Sequence, residues 1–358
     1  MAAMKSPHKR FLFMFLPRFA AFFIIGAALS LPARAYYKAP LPEESFGIIK
    51  VTVKRWYSTG SGLFRTSFLM SPDADILEGS TLDFRKMDAA LNLLSVEVQP
   101  LKGFSIEGEY GDNRFSGGTG FDHDWLHAPH YIICFDNGVT WTEPSHRDFS
   151  LSRSKLAGTT KLSSVNAYLR VYTSSRRKLL TPDSDPEHNV DFYAGYGWYE
   201  DDIRISDGNQ LLAADLVILT PPEGPFPGLN STYRMRWRGA RVGLRERTRL
   251  SKIFTMEGKF GFSPFMAYSG EGYWNLRDDF ANPSFVHFAK GSVAEFSASM
   301  EWIPLKRLQV FAGYMGVFYN AKDGVDRTFF SDGTQSEITL ENAKSSRKGW
   351  FFSLSLKY

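Results

Sequence analysis

The chain has 358 residues, of which 22% are charged and 15% are aromatic, and its formal net charge is +4. The first 35 residues hold five basic and no acidic side chains, so the rest of the chain carries a net charge of −1. The charge balance therefore gives no case for nucleic-acid binding. A single cysteine, Cys134, excludes an internal disulfide.

Residues 1–35 predict a cleaved secretory signal peptide. Basic side chains flank an uncharged run from Phe19 to Leu31, and Ala33 and Ala35 stand where a signal peptidase reads small residues. The run is shorter than the roughly 20 residues of a spanning helix, and an uncleaved N-terminal anchor is the alternative. No apolar stretch of similar strength follows. Residues 36–358 are expected to form one exported domain, either secreted or a membrane barrel.

Ten segments after the leader show the two-residue alternation of β-strands. In chain order they are Phe46–Tyr57, Ser80–Val98, Phe104–Phe115, Lys161–Tyr172, Val190–Ile205, Thr232–Arg247, Phe254–Tyr268, Ser292–Ile303, Leu308–Ala321 and Arg347–Tyr358. Short turns are predicted at 99–103, 250–252 and 304–306, with a longer link at 173–189. Long loops are predicted at 58–79, 116–160, 206–231, 269–291 and 322–346. Alternating short turns and long loops are typical of outer-membrane barrels.

The last strand shows the alternation most clearly. One face carries Trp350, Phe352, Leu354, Leu356 and Tyr358, and the other is mostly polar. Lipid on one face and a wet lumen on the other require this pattern, although a soluble sandwich strand can also alternate.

The eighth segment decides which face meets lipid. It places Glu295 and Glu301 opposite Met300 and Trp302, and two carboxylates on a lipid face would be costly. The sequence therefore predicts an all-β fold, a ten-stranded antiparallel transmembrane β-barrel with long extracellular loops in the bacterial outer membrane. Strands of 12 or more residues exceed the 9 to 11 that cross a bilayer, so the barrel should project outward.

A carboxylate pair stands in the second predicted loop, within Gly117-Gly118-Thr119-Gly120-Phe121-Asp122-His123-Asp124-Trp125-Leu126. On an extended segment, residues two apart point the same way, so Asp122 and Asp124 can converge on one water. Like charges held close raise at least one pKa, which suits acid–base chemistry. The alternative is a pair of ordinary rim carboxylates.

This segment, followed by Trp141-Thr142-Glu143-Pro144-Ser145-His146-Arg147-Asp148, resembles the omptins. Thr52–Tyr57, Leu82–Arg85, Tyr233–Met235 and Glu257–Phe260 are similar to further strands of that family. Omptins are ten-stranded outer-membrane endopeptidases that cleave at basic residues with water as nucleophile. The resemblance implies that Asp122 and Asp124 form one half of the site, either as vestiges or as groups that position water.

The other half of the omptin site departs from the family. Gly270 and Gly272 stand where the resemblance implies an Asp and its catalytic His, with Glu271 between them. Lys54 stands where the family holds an acid for the substrate's cation, so Lys54 and Glu271 are expected in a substrate pocket of altered charge. His123, His127, His130 and His287, all in predicted extracellular loops, are the candidates to replace the missing base.

Three functions follow from this reading. The first is an omptin-like barrel without the family's proteolysis, a pseudoenzyme acting as a surface scaffold, adhesin or structural protein. The alternative is an endopeptidase that uses water activated by Asp122 and Asp124 with changed specificity. The third is a narrow pore. No cofactor or metal motif is found, and the expected partners of this monomer are lipopolysaccharide and an extracellular protein or peptide.

Overall fold

The structure is a computed structural model that describes residues 48–71, 76–128, 145–175, 187–214, 220–305 and 307–358. The predicted signal peptide, Cys134, His130 and residues 141–144 of the second motif lie outside these ranges. The described strands are β1 (Ile48–Ser71), β2 (Ile76–Leu101), β3 (Phe104–Phe115), β4 (Thr119–Ala128), β5 (Ser145–Ser175), β6 (Glu187–Ala213), β7 (Gly224–Pro225), β8 (Asn230–Arg249), β9 (Phe254–Tyr273), β10 (Phe280–Leu305), β11 (Leu308–Phe330) and β12 (Gln335–Lys357).

The strands close into one antiparallel barrel. Each long strand pairs with its neighbours in the chain, and β12 pairs with β1 through Tyr57 opposite Trp350. β3 and β4 both lie between β2 and β5, so they are two parts of one barrel strand, and β7 is a two-residue addition beside β6. The ring therefore has ten strands, which confirms the predicted fold class. In the described part of the chain, no helix is long and apolar enough to cross a membrane.

The three short turns are confirmed, whereas the predicted loops need correction. β2 and β3, β8 and β9, and β10 and β11 each follow one another within a few residues. At the other end of the barrel, the strands continue through most of the residues predicted as loops, and β5 alone has 31 residues. Above the membrane no lipid requires apolar side chains on the outer face of a strand, so the alternation that predicts strands fades there.

The lower half of the barrel carries the lipid-facing belt. On β12, Trp350, Phe352, Leu354 and Leu356 are 63%, 56%, 49% and 43% exposed, whereas the intervening Ser355 is buried. Met300 and Trp302 on β10 are also exposed, as predicted. Exposed apolar side chains at the same level of every neighbouring strand make a continuous band, which is the surface that a bilayer covers.

Side chains fill the lumen inside this belt. Glu97 accepts charge-assisted hydrogen bonds from Lys50 (2.7 Å) and Arg245 (3.0 Å), and Glu295 pairs with Arg241. The cavity left among these groups has a volume of about 120 Å³.

A fully buried ion pair closes the middle of the barrel. The Arg347 guanidinium lies 3.4 Å from Oδ1 of Asp201 and donates hydrogen bonds to Thr160 (2.8 Å) and the Met87 carbonyl (3.0 Å). Above it, aromatic rings cross the lumen, with the Trp237 and Tyr319 rings stacked at 5.1 Å. The barrel is thus a packed core with a small polar cavity below it.

Candidate functional site at the barrel rim

Asp122 and Asp124 lie on β4, near the open end of the barrel. The prediction that they stand in a loop is wrong, because β4 pairs with β2 on one side and β5 on the other. Asp122 lies opposite Leu82, and Asp124 lies opposite Ser80, both of which belong to the inner face. The two carboxylates therefore point into the lumen together, as the spacing implied.

Hydroxyl groups and burial set the charge of this pair. Ser80 donates to Oδ1 of Asp122 at 3.4 Å, and hydrogen bonds from Ser80 and Ser150 act on Asp124. Burial and the charge of Asp124 raise the pKa of the Asp122 carboxyl to about 8, and burial also raises the pKa of Asp124. At neutral pH Asp122 therefore holds a proton, so the pair is one carboxylic acid beside a second carboxyl group.

Two further charged groups act on the pair. Burial and the charge of Asp124 raise the pKa of Glu78 on β2. Arg277, in the connection between β9 and β10, lowers the pKa of both aspartates through its charge. The Arg277 guanidinium is held by Asp279 at 2.8 and 2.7 Å and lies 4.1 Å from the centre of the Phe280 ring. Sequence reasoning missed this arginine, since no pattern in the chain relates it to β4.

The facing wall carries aromatic groups where the omptin resemblance implies an Asp and a His. Gly270 and Gly272 lie on β9 and face the lumen. A Cβ at residue 270 would lie 3.0 Å from Nδ1 of His287 and collide with the Tyr233 hydroxyl, and a Cβ at residue 272 would collide with the Phe285 ring. The neighbouring strands thus occupy the space that these two side chains would need.

The three candidate histidines that the structure describes lie in strands, not in loops as predicted. His123 is on β4, between the two aspartates in sequence, and its Nε2 lies 2.8 Å from Oδ1 of Asp148. His127 is also on β4. His287 is on β10 and fully buried, with its ring 4.6 Å from that of Phe64. Phe64 lies opposite Leu82, which in turn lies opposite Asp122, so apolar side chains stand between His287 and the carboxylates.

The structure does not bring Lys54 or Glu271 into the rim with the aspartates. Lys54 lies opposite Leu93 of β2, whereas Asp122 lies opposite Leu82 of the same strand. Leu82 and Leu93 are eleven residues apart, which is about 36 Å of strand. Its ammonium group pairs with Glu109 at 2.8 Å inside the lower lumen. Glu271 faces outward on β9, 4.0 Å from the guanidinium groups of Arg234 and Arg236. Among the described residues no cluster of metal-binding side chains is found.

Comparisons with known proteins agree with the barrel. A family model described as "Pom: Protochlamydia outer membrane protein" matches residues 185–356, just under half of the chain. The structure is similar to the outer membrane protease OmpT from Escherichia coli, with a TM-score of 0.65 and 14% sequence identity over 90% of this chain and 99% of that one. This chain is an outer-membrane β-barrel. At 14% identity, the likeness extends to the fold alone.

Other barrels match much less well. The transport unit of the autotransporter AIDA-I from Escherichia coli has a TM-score of 0.26 and 10% identity, over 93% of this chain and 97% of that one. The Pseudomonas putida toluene transporter TodX has a TM-score of 0.26 and 7% identity, over 88% and 90%. Among curated protein sequences, none matches this chain.

Proposed function

We propose that this barrel is a closed, non-proteolytic outer-membrane protein that acts as a surface scaffold. One observation carries the proposal. Tyr233, His287 and Phe285 occupy the space that side chains at residues 270 and 272 would need, so no acid–base pair faces Asp122 and Asp124 from β9. The loss of a catalytic base commonly lowers a rate by orders of magnitude.

The strand lengths support a role outside the membrane. Strands of 20 to 31 residues are about two to three times the length that crosses a bilayer. The excess forms a hydrogen-bonded wall above the lipid belt, ending in the rim with Asp122, Asp124 and Arg277. A rigid wall of this kind presents fixed side chains to an extracellular protein or peptide without ordering a loop on binding.

Protein packing in the lumen argues against the pore. The ion pair of Arg347 with Asp201 and the stacked rings of Trp237 and Tyr319 lie across the path. An ion would have to displace fully buried side chains, each of which is hydrogen-bonded or packed.

The endopeptidase remains the second candidate, and the protonated state of Asp122 favours it. A carboxylic acid next to a second carboxyl group can donate one proton and accept another, as acid–base catalysis requires. Lys54 is not available to set its specificity, because it is paired with Glu109 far below the rim.

The outer wall supports lipopolysaccharide as the lipid partner. Arg238 on β8 faces outward opposite the exposed ring of Trp198 on β6. Arg236 and Arg234 follow above it, where they pair with Glu200 (2.9 Å) and Asp202 (3.1 Å). Aromatic side chains mark the membrane interface, so the arginines lie at the level of lipid headgroup phosphates.

Peptide cleavage tests the proposal directly. Protein refolded with lipopolysaccharide would be incubated with a fluorogenic dibasic peptide. Asp122→Ala is the negative control. The positive control is an omptin, a different protein of the same fold that carries Asp and His where this chain has Gly270 and Gly272. The scaffold proposal expects the wild-type chain to match Asp122→Ala and buffer. Cleavage by the wild-type chain that Asp122→Ala abolishes would establish the endopeptidase instead.

A further inference from the structure

Four polar side chains form a connected chain across the upper inner wall. The Tyr268 hydroxyl lies 2.5 Å from the Tyr233 hydroxyl, which lies 2.7 Å from Nδ1 of His287. On the other side of the ring, Nε2 of His287 lies 3.4 Å from Oδ2 of Asp326. Tyr233 and His287 are fully buried, and Tyr268 and Asp326 are at most 6% exposed. These groups lie above the lipid belt. The proposed function uses Tyr233 and His287 only as side chains that fill the space beside Gly270.

The register of three strands sets this arrangement. His287 on β10 lies directly opposite Gly270 on β9 and directly opposite Asp326 on β11. Because Gly270 has no side chain, the Tyr233 hydroxyl reaches the imidazole across β9. The rings of Phe64 and Phe285 lie 4.6 and 5.0 Å from the imidazole, so apolar carbon surrounds a polar group.

When the imidazole of His287 is neutral, its surroundings fix which group donates and which accepts in each hydrogen bond. The Asp326 carboxylate favours the hydrogen on Nε2, which leaves Nδ1 as an acceptor for the Tyr233 hydroxyl. Tyr233 has then used its only hydrogen, so the hydroxyl of Tyr268 donates to the oxygen of Tyr233. Burial and the charge of Asp326 raise the pKa of both tyrosines, which keeps their hydrogens in place.

Within the cluster of Tyr268, Tyr233, His287 and Asp326, two buried atoms lack a hydrogen-bond partner among the described residues. They are Nε2 of His287 and Oδ1 of Asp326. An unpaired buried polar atom destabilises the folded state, and apolar side chains of the same shape would avoid that cost. The two residues with these atoms face each other. A proton on the imidazole would turn their long contact into an ion pair.

We propose that His287 is a buried proton switch in the upper wall of the barrel. When the imidazole takes up a proton, Nδ1 gains a hydrogen and must donate to Tyr233, which then donates to Tyr268. The direction of all the hydrogen bonds in the chain reverses, and His287 and Asp326 form an ion pair. Phe64 and Phe285 pack on the ring, so the charge forms within an apolar part of the wall.

The groups facing the imidazole come from five strands. They are Phe64 from β1, Tyr233 from β8, Gly270 with Tyr268 behind it from β9, Phe285 from β10 itself, and Asp326 from β11. Among them Asp326 favours the charged imidazole, and the Tyr233 hydroxyl, as a donor, favours the neutral one. Removing the Asp326 carboxylate should therefore make His287 harder to protonate, and removing the Tyr233 hydroxyl should make it easier to protonate.

The test is ¹⁵N NMR of the full chain, labelled on histidine and refolded in detergent micelles. The signal of His287 is assigned by its loss in His287→Gln. At neutral pH we expect the hydrogen on Nε2 with Nδ1 bare, and both nitrogens protonated on acidification while the barrel stays folded. Asp326→Asn should lower the midpoint, because an opposite charge close to the imidazole favours its protonated form.

Two variants sharpen the result. Tyr233→Phe removes the donor to Nδ1 and should raise the midpoint, whereas Asp207→Asn, at an exposed ion pair, should leave it unchanged. A hydrogen on Nδ1 at neutral pH, an imidazole that stays neutral until the barrel unfolds, or an unchanged midpoint in Asp326→Asn would each overturn the proposal. If neither cluster variant refolds, the tautomer and titration of the wild-type ring decide the matter alone.

Discussion

Gly270 and His287 lie directly opposite each other in β9 and β10, and a Cβ at residue 270 would lie 3.0 Å from Nδ1 of the imidazole. The same strand has a second glycine at residue 272, whose missing Cβ makes room for the Phe285 ring. Side chains from neighbouring strands have taken the inner face of β9 at this level. The rim therefore has carboxylates on β4 and packed aromatic groups on the opposite wall.

Gly272→Ala should destabilise the barrel. The added methyl group would collide with the Phe285 ring, and overpacking of this kind typically costs about 1–3 kcal/mol. Urea unfolding in micelles, followed by circular dichroism, measures the loss. Gly258→Ala on the same strand is the matched control, because a Cβ there meets nothing within 4 Å. Equal stability of the two variants would contradict the packing described for Phe285.

Arg347→Met should be among the most damaging single changes. It leaves the fully buried Asp201 carboxylate without its cation, and breaking a buried pair in this way costs about 3–5 kcal/mol. Lys155→Met is the control, since Lys155 and Asp207 form an exposed pair whose loss should change the free energy of unfolding by less than about 1 kcal/mol. The same urea experiment compares the free energies of unfolding of the two variants. A loss in Arg347→Met no larger than in Lys155→Met would mean that the ion pair of Arg347 and Asp201 is not buried as described.

Asp122 should make the barrel less stable as pH rises. Its pKa is about 8 in the folded chain and lower when unfolded, so the folded state binds the extra proton. The stability that this proton contributes is complete below about pH 4 and is lost as pH rises through 8. Asp122→Asn should therefore gain stability relative to the wild-type chain across that window. Asp207→Asn serves as the control, and parallel pH profiles for all three proteins would refute the assignment.

Planar bilayers should show no steady conductance from the wild-type barrel. The cavity of about 120 Å³ lies below the buried ion pair of Arg347 and Asp201, and these side chains close the lumen above it. A general porin recorded under the same conditions is the positive control. Uniform conductance steps from the purified chain, absent after heat denaturation, would restore the pore hypothesis.

Much of the membrane-embedded barrel was predictable because lipid imposes a strict rule on each strand. Glu295 and Glu301 could face only the lumen, and the outer face of the last strand, with Trp350 and Phe352, could face only lipid. Above the membrane that rule no longer applies. The run Thr59-Gly60-Ser61-Gly62 has no apolar face, so its place within β1 could not be read from its pattern.

The half of the candidate site that lies within one strand was predictable, and the half that depends on strand pairing was not. The spacing of Asp122 and Asp124 implied a shared face, and the structure agrees. The cluster of Tyr233, His287 and Asp326 depends on the pairing of β8 through β11, which local sequence does not contain. An alternating inner face through Phe285, His287 and Ala289 was the one available sign that His287 belongs to a strand.

An unbiased peptide digest tests the central claim most directly. Peptides covering all pairs of residues at the cleavage point would be incubated with the refolded wild-type chain and with Asp122→Ala, and new termini would be counted by mass spectrometry. We predict the same products from both proteins, at the level of the buffer control. A defined set of cleavages made by the wild-type chain and lost in Asp122→Ala would show that the carboxylates still activate water, and the scaffold account would be wrong.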